Sequence, residues 1–339
     1  MRALLADLGD PQRDFRAIHV VGTNGKTSTT LMTAALLHAE GLRVGAYISP
    51  HVRGWSERIQ VDGADADLDA ALARVRPHAD GATQFEVLTA AAFAEFAAAG
   101  VDVAVVEAGL GGRHDATNVL DAGIVVLTNV SLEHTDVLGD TREEIAAEKL
   151  AVISPGAIVI VGEAEWEPAA RVTGAGRVEV TSGSNLGLAR AAAEAFLGRP
   201  VDPAPADRVR VPGRLEHRSE SPLEIWDGAH NLAGIGYLLP RLPDRRYTIV
   251  ASILADKQAD EMLRALTAVG DTLIATGSPS PRAIPAEDLA RLAATHFARV
   301  ETAPDPRTAL ELARSISGPD GAVLVTGSLY LLTALSLDG

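Results

Sequence analysis

Short runs of β-branched residues alternate with alanine-rich stretches along the first two-thirds of the chain. The short runs predict buried strands, and the alanine-rich stretches predict helices. In chain order the pattern gives a strand at 17–21, a helix at 26–39, a strand at 43–48, a helix at 86–99, strands at 102–107 and 123–128, and a helix at 141–153. Thr141, with Glu144 three residues later, has the spacing of a capping box at the start of the last helix. Such alternation is typical of a parallel sheet with crossover helices.

The pattern changes after this region. The stretch 183–212 predicts one helix, followed from residue 200 by a proline-rich polar segment that is typical of a linker. Strands are then predicted at 223–227, 247–252, 271–276 and 322–326, separated by helical stretches. We therefore predict two α/β domains, a larger one over residues 1–205 and a smaller, Rossmann-like C-terminal one over residues 206–339.

Composition and charge limit the classes of function. With 339 residues, 47% of them hydrophobic, the chain can bury the cores of two domains. It contains no cysteine, which excludes disulfides and thiolate metal sites, so any metal must be held by oxygen or imidazole. A net charge of −15 without a basic run argues against a nucleic-acid partner. Because no run of eighteen apolar residues and no secretory leader is found, we expect a cytoplasmic protein that does not contact a membrane.

Lysine is rare in this chain, which makes the remaining lysines informative. Only three of the thirty basic residues are lysine, namely Lys26, Lys149 and Lys257. Arginine cannot replace lysine where the chemistry needs a deprotonated amine. The three positions are therefore candidates for chemistry, with chance survival of each lysine as the alternative.

A glycine-rich segment, Gly-Thr-Asn-Gly-Lys-Thr-Ser, lies between the first predicted strand and helix. In this context backbone N–H groups face phosphate oxygens, the lysine neutralises the β and γ charges, and a hydroxyl lies near the metal. The strict motif would have glycine at position 20, where this chain has valine. We predict a P-loop ATPase-like first domain with a parallel sheet. The predicted ATP-binding residues of this loop are Gly22, Thr23, Asn24, Gly25, Lys26, Thr27 and Ser28.

The loop, extended by one threonine, resembles the phosphate loop of the Mur ligase superfamily, whose members form amide bonds with ATP. The folylpolyglutamate synthase and dihydrofolate synthase branch usually has glycine where Thr27 stands, whereas threonine is more typical of muramyl ligases. Further stretches resemble the folate branch: Ser-Pro-His at 49–51 with Glu-Arg-Ile at 57–59, Phe-Glu-Val-Leu-Thr-Ala at 85–90, Glu-Ala-Gly-Leu-Gly-Gly-Arg at 107–113, and Asp-Ala-Thr-Asn at 115–118. The resemblance covers nearly the whole chain, which is shorter than usual between Lys149 and Gly213.

The resemblance implies a metal and carbamate site in the first domain. Ser49 and Glu107, which both end predicted strands, would give oxygen ligands to one magnesium ion, and His134 would hold a second. Lys149 matches a lysine that carbon dioxide converts to a carbamate, a reaction that needs a neutral amine. The predicted metal-binding residues are Ser49, Glu107, His134 and carbamylated Lys149, and the predicted catalytic residues are Lys26, Glu107, His134 and Lys149.

Three further residues are predicted to contact the substrate. Phe85 lies in the segment that resembles the family's pterin pocket, where an aromatic ring can stack on a heterocycle. As the first turn of a helix, it could equally belong to the core. Asp115 and Asn118 follow the glycine-rich stretch and could hydrogen-bond the substrate or cap the turn.

The second domain carries two more motifs of the resemblance, at 212–216 and 227–231. They imply that Arg214 meets phosphates of ATP and that Asp227 accepts hydrogen bonds from the ribose. His230 and Asn231 would lie near the same nucleotide. As isolated strings, the two motifs could also be a turn and a helix cap. Lys257 matches a family position to which we assign no role.

Together these features predict an ATP-dependent ligase that adds L-glutamate to the carboxylate of a folate or of dihydropteroate through an acyl phosphate. The expected cofactors are ATP, two Mg²⁺ ions, the lysine carbamate and a monovalent cation, and we expect a monomer. One alternative is a Mur-type ligase for another carboxylate, such as a UDP-muramyl substrate, which Thr27 favours. The other alternative is a nucleotide-binding homologue that has lost catalysis with part of its scaffold. Whether the chain is one synthase, the other or both stays open.

Overall fold

The structure, a computed structural model, describes residues 1–181 and 183–337. These residues form two compact units, of which the first comprises residues 1–51 and 55–209 and the second comprises residues 52–54 and those from Arg210 on. Both units are parallel-dominated α/β structures, as the alternating pattern predicts. Within the described ranges, no helix combines the length and the apolar character needed to cross a bilayer.

The first unit is built on an eight-stranded sheet, counted over the residues that the structure describes, with the order β4-β3-β2-β5-β1-β6-β7-β8. Its strands are β1 (Arg16–Val21), β2 (Val44–Tyr47), β3 (Ile59–Val61), β4 (Ala64–Asp65), β5 (Val103–Glu107), β6 (Ile124–Leu127), β7 (Ile158–Val161) and β8 (Arg177–Val180). Its helices are α1 (Arg2–Asp7), α2 (Lys26–Ala39), α3 (Leu68–Val75), α4 (Gln84–Ala99), α5 (Thr135–Leu138), α6 (Arg142–Leu150), α7 (Glu167–Val172), α8 (Asn185–Leu197) and α9 (Ala204–Asp207).

Strand β1 lies at the centre of this sheet, parallel to β5 on one side and to β6 on the other. These strands are continuous apolar runs because both faces of the sheet are covered, which is the usual composition of a parallel sheet. One face packs in a core with Phe93 and Phe96 of α4, and the other face packs in a core with Leu36 and Leu37 of α2. The carboxyl ends of β1, β5 and β6 therefore share one edge, and the segments that follow them meet there.

The predicted elements of the first unit agree with the observed ones, with differences at their ends. Helix α2 has the predicted bounds, and α6 begins with the predicted capping box of Thr141 and Glu144. Helix α4 starts two residues before the prediction, because Thr83 and Glu86 form a second capping box. The segment expected to be a linker differs more, since it contains α9 and buries Val201 and Ala206 in the core of the first unit.

The second unit has a six-stranded sheet among its described residues, with the order β13-β12-β11-β14-β10-β9. Its strands are β9 (Glu216–Glu220), β10 (Leu223–Trp226), β11 (Tyr247–Ala251), β12 (Thr272–Thr276), β13 (Arg299–Ala303) and β14 (Ala322–Thr326). Its helices are α10 (Leu232–Leu238), α11 (Ala259–Leu266), α12 (Ala286–Ala293), α13 (Pro306–Ser317) and α14 (Leu329–Leu337). The four predicted strands are β10, β11, β12 and β14, and among the described strands of this sheet only β9 pairs antiparallel with its neighbour.

Candidate active site

The glycine-rich segment forms the turn between β1 and α2, so its predicted strand–turn–helix context is confirmed. Helix α2 starts at Lys26, and its first backbone N–H groups have no partner within the helix. Gly22 has φ +146°, and a Cβ there would lie 1.9 Å from Oγ1 of Thr128. Only glycine allows the turn to pass this close to the end of β6. The exposed amides at a helix start make the turn suitable for phosphate.

Residues after β6 hold the turn in place, and the sequence analysis did not identify them. The backbone N–H of Thr23 donates to the carbonyl of Asn129 at 2.9 Å, and that of Asn24 donates to Oδ1 of Asn129 at 2.9 Å. The Thr128 hydroxyl donates to the carbonyl of Asn24 at 2.7 Å. These bonds fix the loop before any ligand binds, which lowers the entropy cost of binding one.

Asn185, the first residue of α8, is a second contact of the turn that the sequence did not reveal. A Cβ added to Gly25 would lie 2.4 Å from its Oδ1 atom. Gly25 has φ +82° and precedes the first residue of α2. The amide side chain of Asn185 therefore lies against the start of α2, in a part of the chain where we predicted no motif.

Two of the three lysines converge on one backbone carbonyl. The Nζ of Lys26 donates to the Gly22 oxygen at 3.1 Å and to the Thr23 oxygen at 3.2 Å, and the Nζ of Lys149 donates to the same Gly22 oxygen at 2.9 Å. Lys149 is 4% exposed. Its burial, together with the charge of Lys26, lowers the pKa of its amine to about 7, although Glu133 and Asp115 act in the opposite direction. Lys149 is thus a lysine that is substantially neutral near pH 7.

The predicted metal-binding carboxylate, Glu107, ends β5 and is 2% exposed. The Thr27 hydroxyl donates to its two oxygens at 2.9 and 3.1 Å, and the backbone N–H of Ser49 donates to Oε2 at 3.1 Å. The structure therefore brings Glu107, Ser49 and the phosphate turn together, as expected.

The carboxylate of Glu107 and the hydroxyl of Thr27 offer oxygen atoms, which magnesium prefers as ligands. Magnesium usually combines one or two carboxylates with phosphate oxygens and water. No cluster of three His, Cys, Asp or Glu side chains suited to a metal occurs in the described ranges. The protein therefore offers part of a coordination sphere that a nucleotide would complete.

His134 lies on the segment that follows β6, at the same edge of the sheet. It is exposed, has φ +54° and immediately precedes α5. Its predicted binding of a second metal stays a prediction.

The glycine-rich stretch after β5 forms a turn that Asp115 and Asn118 hold from inside. Oδ2 of Asp115 accepts from the backbone N–H of Leu110 at 2.8 Å, and Oδ1 accepts from the N–H and the hydroxyl of Thr117. The Asn118 side chain donates to the carbonyl of Arg113 at 2.8 Å. Of the two roles that the sequence left open for these residues, capping of the turn is therefore observed. Their contact with substrate stays a prediction.

The same turn joins Phe85 to the lysine helix. A Cβ added to Gly109 would lie 2.5 Å from Cζ of Phe85 and 3.1 Å from Oδ2 of Asp115. A Cβ on Gly112 would lie 2.7 Å from the carbonyl oxygen of Lys149 in α6. The half-buried Phe85 ring also packs near Tyr47, with centroids 6.1 Å apart. One turn thus contacts the predicted aromatic residue on one side and the helix of Lys149 on the other.

In the second unit, the two predicted motifs adjoin each other. Oδ2 of Asp227 accepts from the N–H of Leu215 at 2.8 Å, and its Oδ1 accepts from the N–H of Ala229 at 2.8 Å. Burial raises the pKa of Asp227, against the opposing effect of the neighbouring Arg214 charge. Arg214 itself is half-buried.

The remaining residues of these motifs lie at the start of α10. Nδ1 of His230 lies 2.8 Å from the Gly228 oxygen, and Oδ1 of Asn231 caps α10 by accepting from the N–H of Gly234 at 2.7 Å. The turn and the helix cap are thus both present, and nucleotide contact by these residues stays a prediction. Lys257, with a side chain only 7% exposed, pairs with Asp256 at 3.2 Å.

Comparisons with known proteins agree with this geometry. Residues 20–176 match the family described as Mur ligase middle domain, and residues 213–329 match the family described as Mur ligase, glutamate ligase domain. A dihydrofolate synthase/folylpolyglutamate synthase of Mycobacterium tuberculosis is 34% identical over 99% of this chain and 86% of its own. The structure of a folylpolyglutamate synthase from the same organism, complexed with ADP, has a TM-score of 0.90 at 34% identity, covering 98% of this chain and 92% of that chain. A bifunctional folylpolyglutamate synthase/dihydrofolate synthase of Yersinia pestis, complexed with AMPPNP and a Mn ion, has a TM-score of 0.84 at 29% identity, with 98% and 90% covered.

Proposed function

The chain belongs to the folylpolyglutamate synthase and dihydrofolate synthase family of Mur ligases, and we propose that it uses ATP to join L-glutamate to the carboxylate of a folate or of dihydropteroate. The observation that carries this proposal is the convergence of Lys26 and Lys149 on the Gly22 carbonyl, at the edge where the glycine-rich turn begins. The candidate site combines a phosphate loop, a lysine whose amine is about half neutral near pH 7, and a turn that contacts an aromatic ring. A nucleotide-binding protein without catalysis has no use for this combination.

The reaction proceeds through an acyl phosphate. The substrate carboxylate attacks the γ phosphorus of ATP, and the bond to the bridging oxygen breaks as ADP leaves. The amine of glutamate then attacks the activated carbonyl carbon, phosphate leaves, an amide forms, and two of the three ammonium protons of glutamate are released. Lys26 and the first amides of α2 bind the transferring phosphoryl group, whose charge is spread over its oxygens.

A divalent metal fits beside this loop. The Glu107 carboxylate contacts the Thr27 hydroxyl and the backbone N–H of Ser49, and a Yersinia pestis relative has been solved with AMPPNP and a Mn ion. We propose that these residues hold Mg²⁺ and that His134 contacts a second ion. Such an ion would supply positive charge to the β and γ phosphates. In the second unit, Arg214, Asp227, His230 and Asn231 are the proposed nucleotide contacts.

We further propose that Lys149 carries a carbamate. Its neutral amine would attack the carbon of CO₂ and lose one proton, so that the side chain changes from a cation or neutral amine to an anion. Burial disfavours the ammonium and so leaves a neutral, nucleophilic amine, and the charge of Lys26 beside it repels an ammonium and attracts a carbamate. Burial thus favours the reactive amine, and the Lys26 charge favours the anion that it forms. A monovalent cation and a monomeric state remain part of the proposal.

The test is release of phosphate by purified protein with ATP, Mg²⁺ and L-glutamate, with dihydropteroate, tetrahydrofolate or a UDP-muramyl substrate in parallel. We expect release with a pteroate or a folate, and a product heavier by one glutamyl residue. Lys26→Ala should lower the rate by at least ~10²- to 10³-fold, as for other single donors that stabilise transition-state charge. Release with the muramyl substrate alone, or near-normal turnover of Lys26→Ala, would contradict the proposal.

A further inference from the structure

His19 is a histidine at the centre of an otherwise apolar strand interior. It lies in β1 with 0% exposure, and its register neighbours are Val106 in β5 and Val125 in β6. A polar side chain at such a position costs free energy unless it is hydrogen-bonded. Among the described residues, the side chain of His19 hydrogen-bonds to Thr117, in the turn that follows β5.

The hydrogen bonds have a definite direction. Nε2 of His19 lies 2.8 Å from the hydroxyl oxygen of Thr117, and that hydroxyl also contacts Oδ1 of Asp115. A carboxylate only accepts, and a hydroxyl has one proton to donate, so Thr117 donates to Asp115 and accepts from His19. His19 is therefore neutral with its proton on Nε2. Its Nδ1 has no hydrogen-bond partner in the described part of the chain.

The electrostatic environment keeps His19 in this form. Burial lowers the pKa of its imidazole to about 4, although the charge of Asp115 acts in the opposite direction. A second proton would place an N–H at Nδ1 in surroundings that offer no acceptor. The two hydrogen bonds that link His19 through Thr117 to Asp115 therefore keep the same donors and acceptors across the neutral range of pH.

Asp115 transmits this arrangement to the turn. Its Oδ2 holds the backbone N–H of Leu110, and the same oxygen lies 3.1 Å from the position that a Cβ of Gly109 would occupy. That position also lies 2.5 Å from Cζ of Phe85, so the carboxylate and the ring both border Gly109. The orientation of the carboxylate therefore helps to fix the position of the turn against that ring.

We propose that His19 is a positioning residue for the carboxylate substrate: through Thr117 it orients Asp115 and so sets the position of the glycine-rich turn against Phe85, the ring on which the heterocyclic end of the substrate stacks. This inference rests on the proposed function. It assigns the histidine of β1 to the substrate side of the site, although the same strand leads directly into the phosphate turn.

The test uses Thr117→Val, which keeps the shape of the side chain and removes the hydroxyl, and His19→Leu, which removes the donor. Thr117→Ser and His19→Gln restore a hydroxyl and an N–H donor, respectively. Thr33→Val is the matched control, because Thr33 is also a fully buried threonine of the first unit whose hydroxyl makes a hydrogen bond. Thr33 contacts only its own helix through that bond, to the carbonyl of Thr29.

Two readouts decide the proposal. KM for dihydropteroate should rise about tenfold in Thr117→Val and His19→Leu, equivalent to about 1.4 kcal/mol, while KM for ATP changes less than about twofold. The Leu110 amide should exchange its hydrogen faster in both variants. Thr117→Ser and His19→Gln should recover most of each effect, and Thr33→Val should show neither.

Equal changes in both KM values, matching those of Thr33→Val, would overturn the proposal, because they would reflect general stability. An unchanged Leu110 exchange rate in Thr117→Val would overturn it as well. If the wild-type protein turned over neither pteroate nor folate, the proposed function would fail. The exchange rate of Leu110 would still decide whether His19 orients Asp115.

Discussion

Lys149 offers the sharpest prediction, because its chemistry depends on a property that can be measured without turnover. Its amine has a pKa lowered from 10.5 to about 7, first by burial and then by the charge of Lys26. At pH 7 about half of such amines are neutral, whereas a lysine with the usual pKa would be neutral in fewer than about one molecule in a thousand. The environment thus raises the reactive fraction roughly 10³-fold. The rate of carbamate formation should be proportional to the neutral fraction of the Lys149 amine.

The assay is ¹³C NMR of the ligand-free protein in buffer with ¹³C-labelled bicarbonate. We expect one protein-bound carbamate signal, absent in Lys149→Met and in Lys149→Arg. Lys257→Arg is the matched control, since Lys257 is the other lysine with a nearly buried side chain, and this variant should keep the signal. At constant dissolved CO₂, lowering the pH from about 7 to about 5.5 should slow the initial rate of labelling about 16-fold, because the neutral fraction falls from about one half to about 3%.

The sign follows from the direction of the pKa shift. A lowered pKa moves the appearance of the neutral amine to lower pH, so the initial rate of labelling at constant dissolved CO₂ must increase as the pH rises through about 7 and then level off. A signal that persists in Lys149→Arg would show that another amine reacts. Labelling that rises only near pH 10 would show that the lysine environment does not lower the pKa, and would refute the reasoning from burial and charge.

One test variant and one control variant in each unit examine the packing of that unit. Gly109→Ala places a Cβ 2.5 Å from a ring carbon of Phe85, so KM for the carboxylate substrate should rise about tenfold. Gly123→Ala, whose Cβ meets no atom within 4 Å, should leave KM unchanged. Equal KM values for the two variants would contradict the proposed substrate role of the Gly109 turn. Arg314→Met leaves the fully buried Glu224 carboxylate with the Trp226 indole N–H but without its two guanidinium bonds of 2.8 and 3.1 Å; because the Arg314 side chain is 46% exposed, the free energy of unfolding should fall by ~1.5–3 kcal/mol in urea titration. Arg299→Met, which removes an exposed ion pair, should cost under about 1 kcal/mol, and a similar loss in both variants would refute the role of burial.

Most of the buried parallel strands were predicted from the sequence because each is a largely apolar run, but β7, which is also such a run, was not predicted, and neither were the edge strands. Strand β9 consists of Glu, His, Arg, Ser and Glu, so neither its composition nor its alternation indicates a strand. It forms because β10 offers an unpaired edge, which is a tertiary circumstance. Strand β4, with two exposed residues, is paired only with β3 and carries equally little pattern.

In the candidate site, too, some features were predictable from the sequence and others were not. The turn at Gly22 and the capping of α6 depend on residues close together in the sequence, so spacing sufficed to predict them. The contacts of Asn129 with the phosphate turn and of His19 with Thr117 join residues about a hundred positions apart. They exist because β6 and β5 flank β1, and that strand order could not be derived from the local pattern.

Thr27 shows how a departure from the usual family residue can be understood from contacts. Its hydroxyl donates to both carboxylate oxygens of Glu107, which a glycine at this position could not do. A threonine also fits a helix interior slightly better than glycine, by a few tenths of a kcal/mol. The threonine thus orients the proposed metal-binding carboxylate. Because we propose that substrate choice depends on the turn at Gly109 and the ring of Phe85, Thr27 is compatible with a folate substrate.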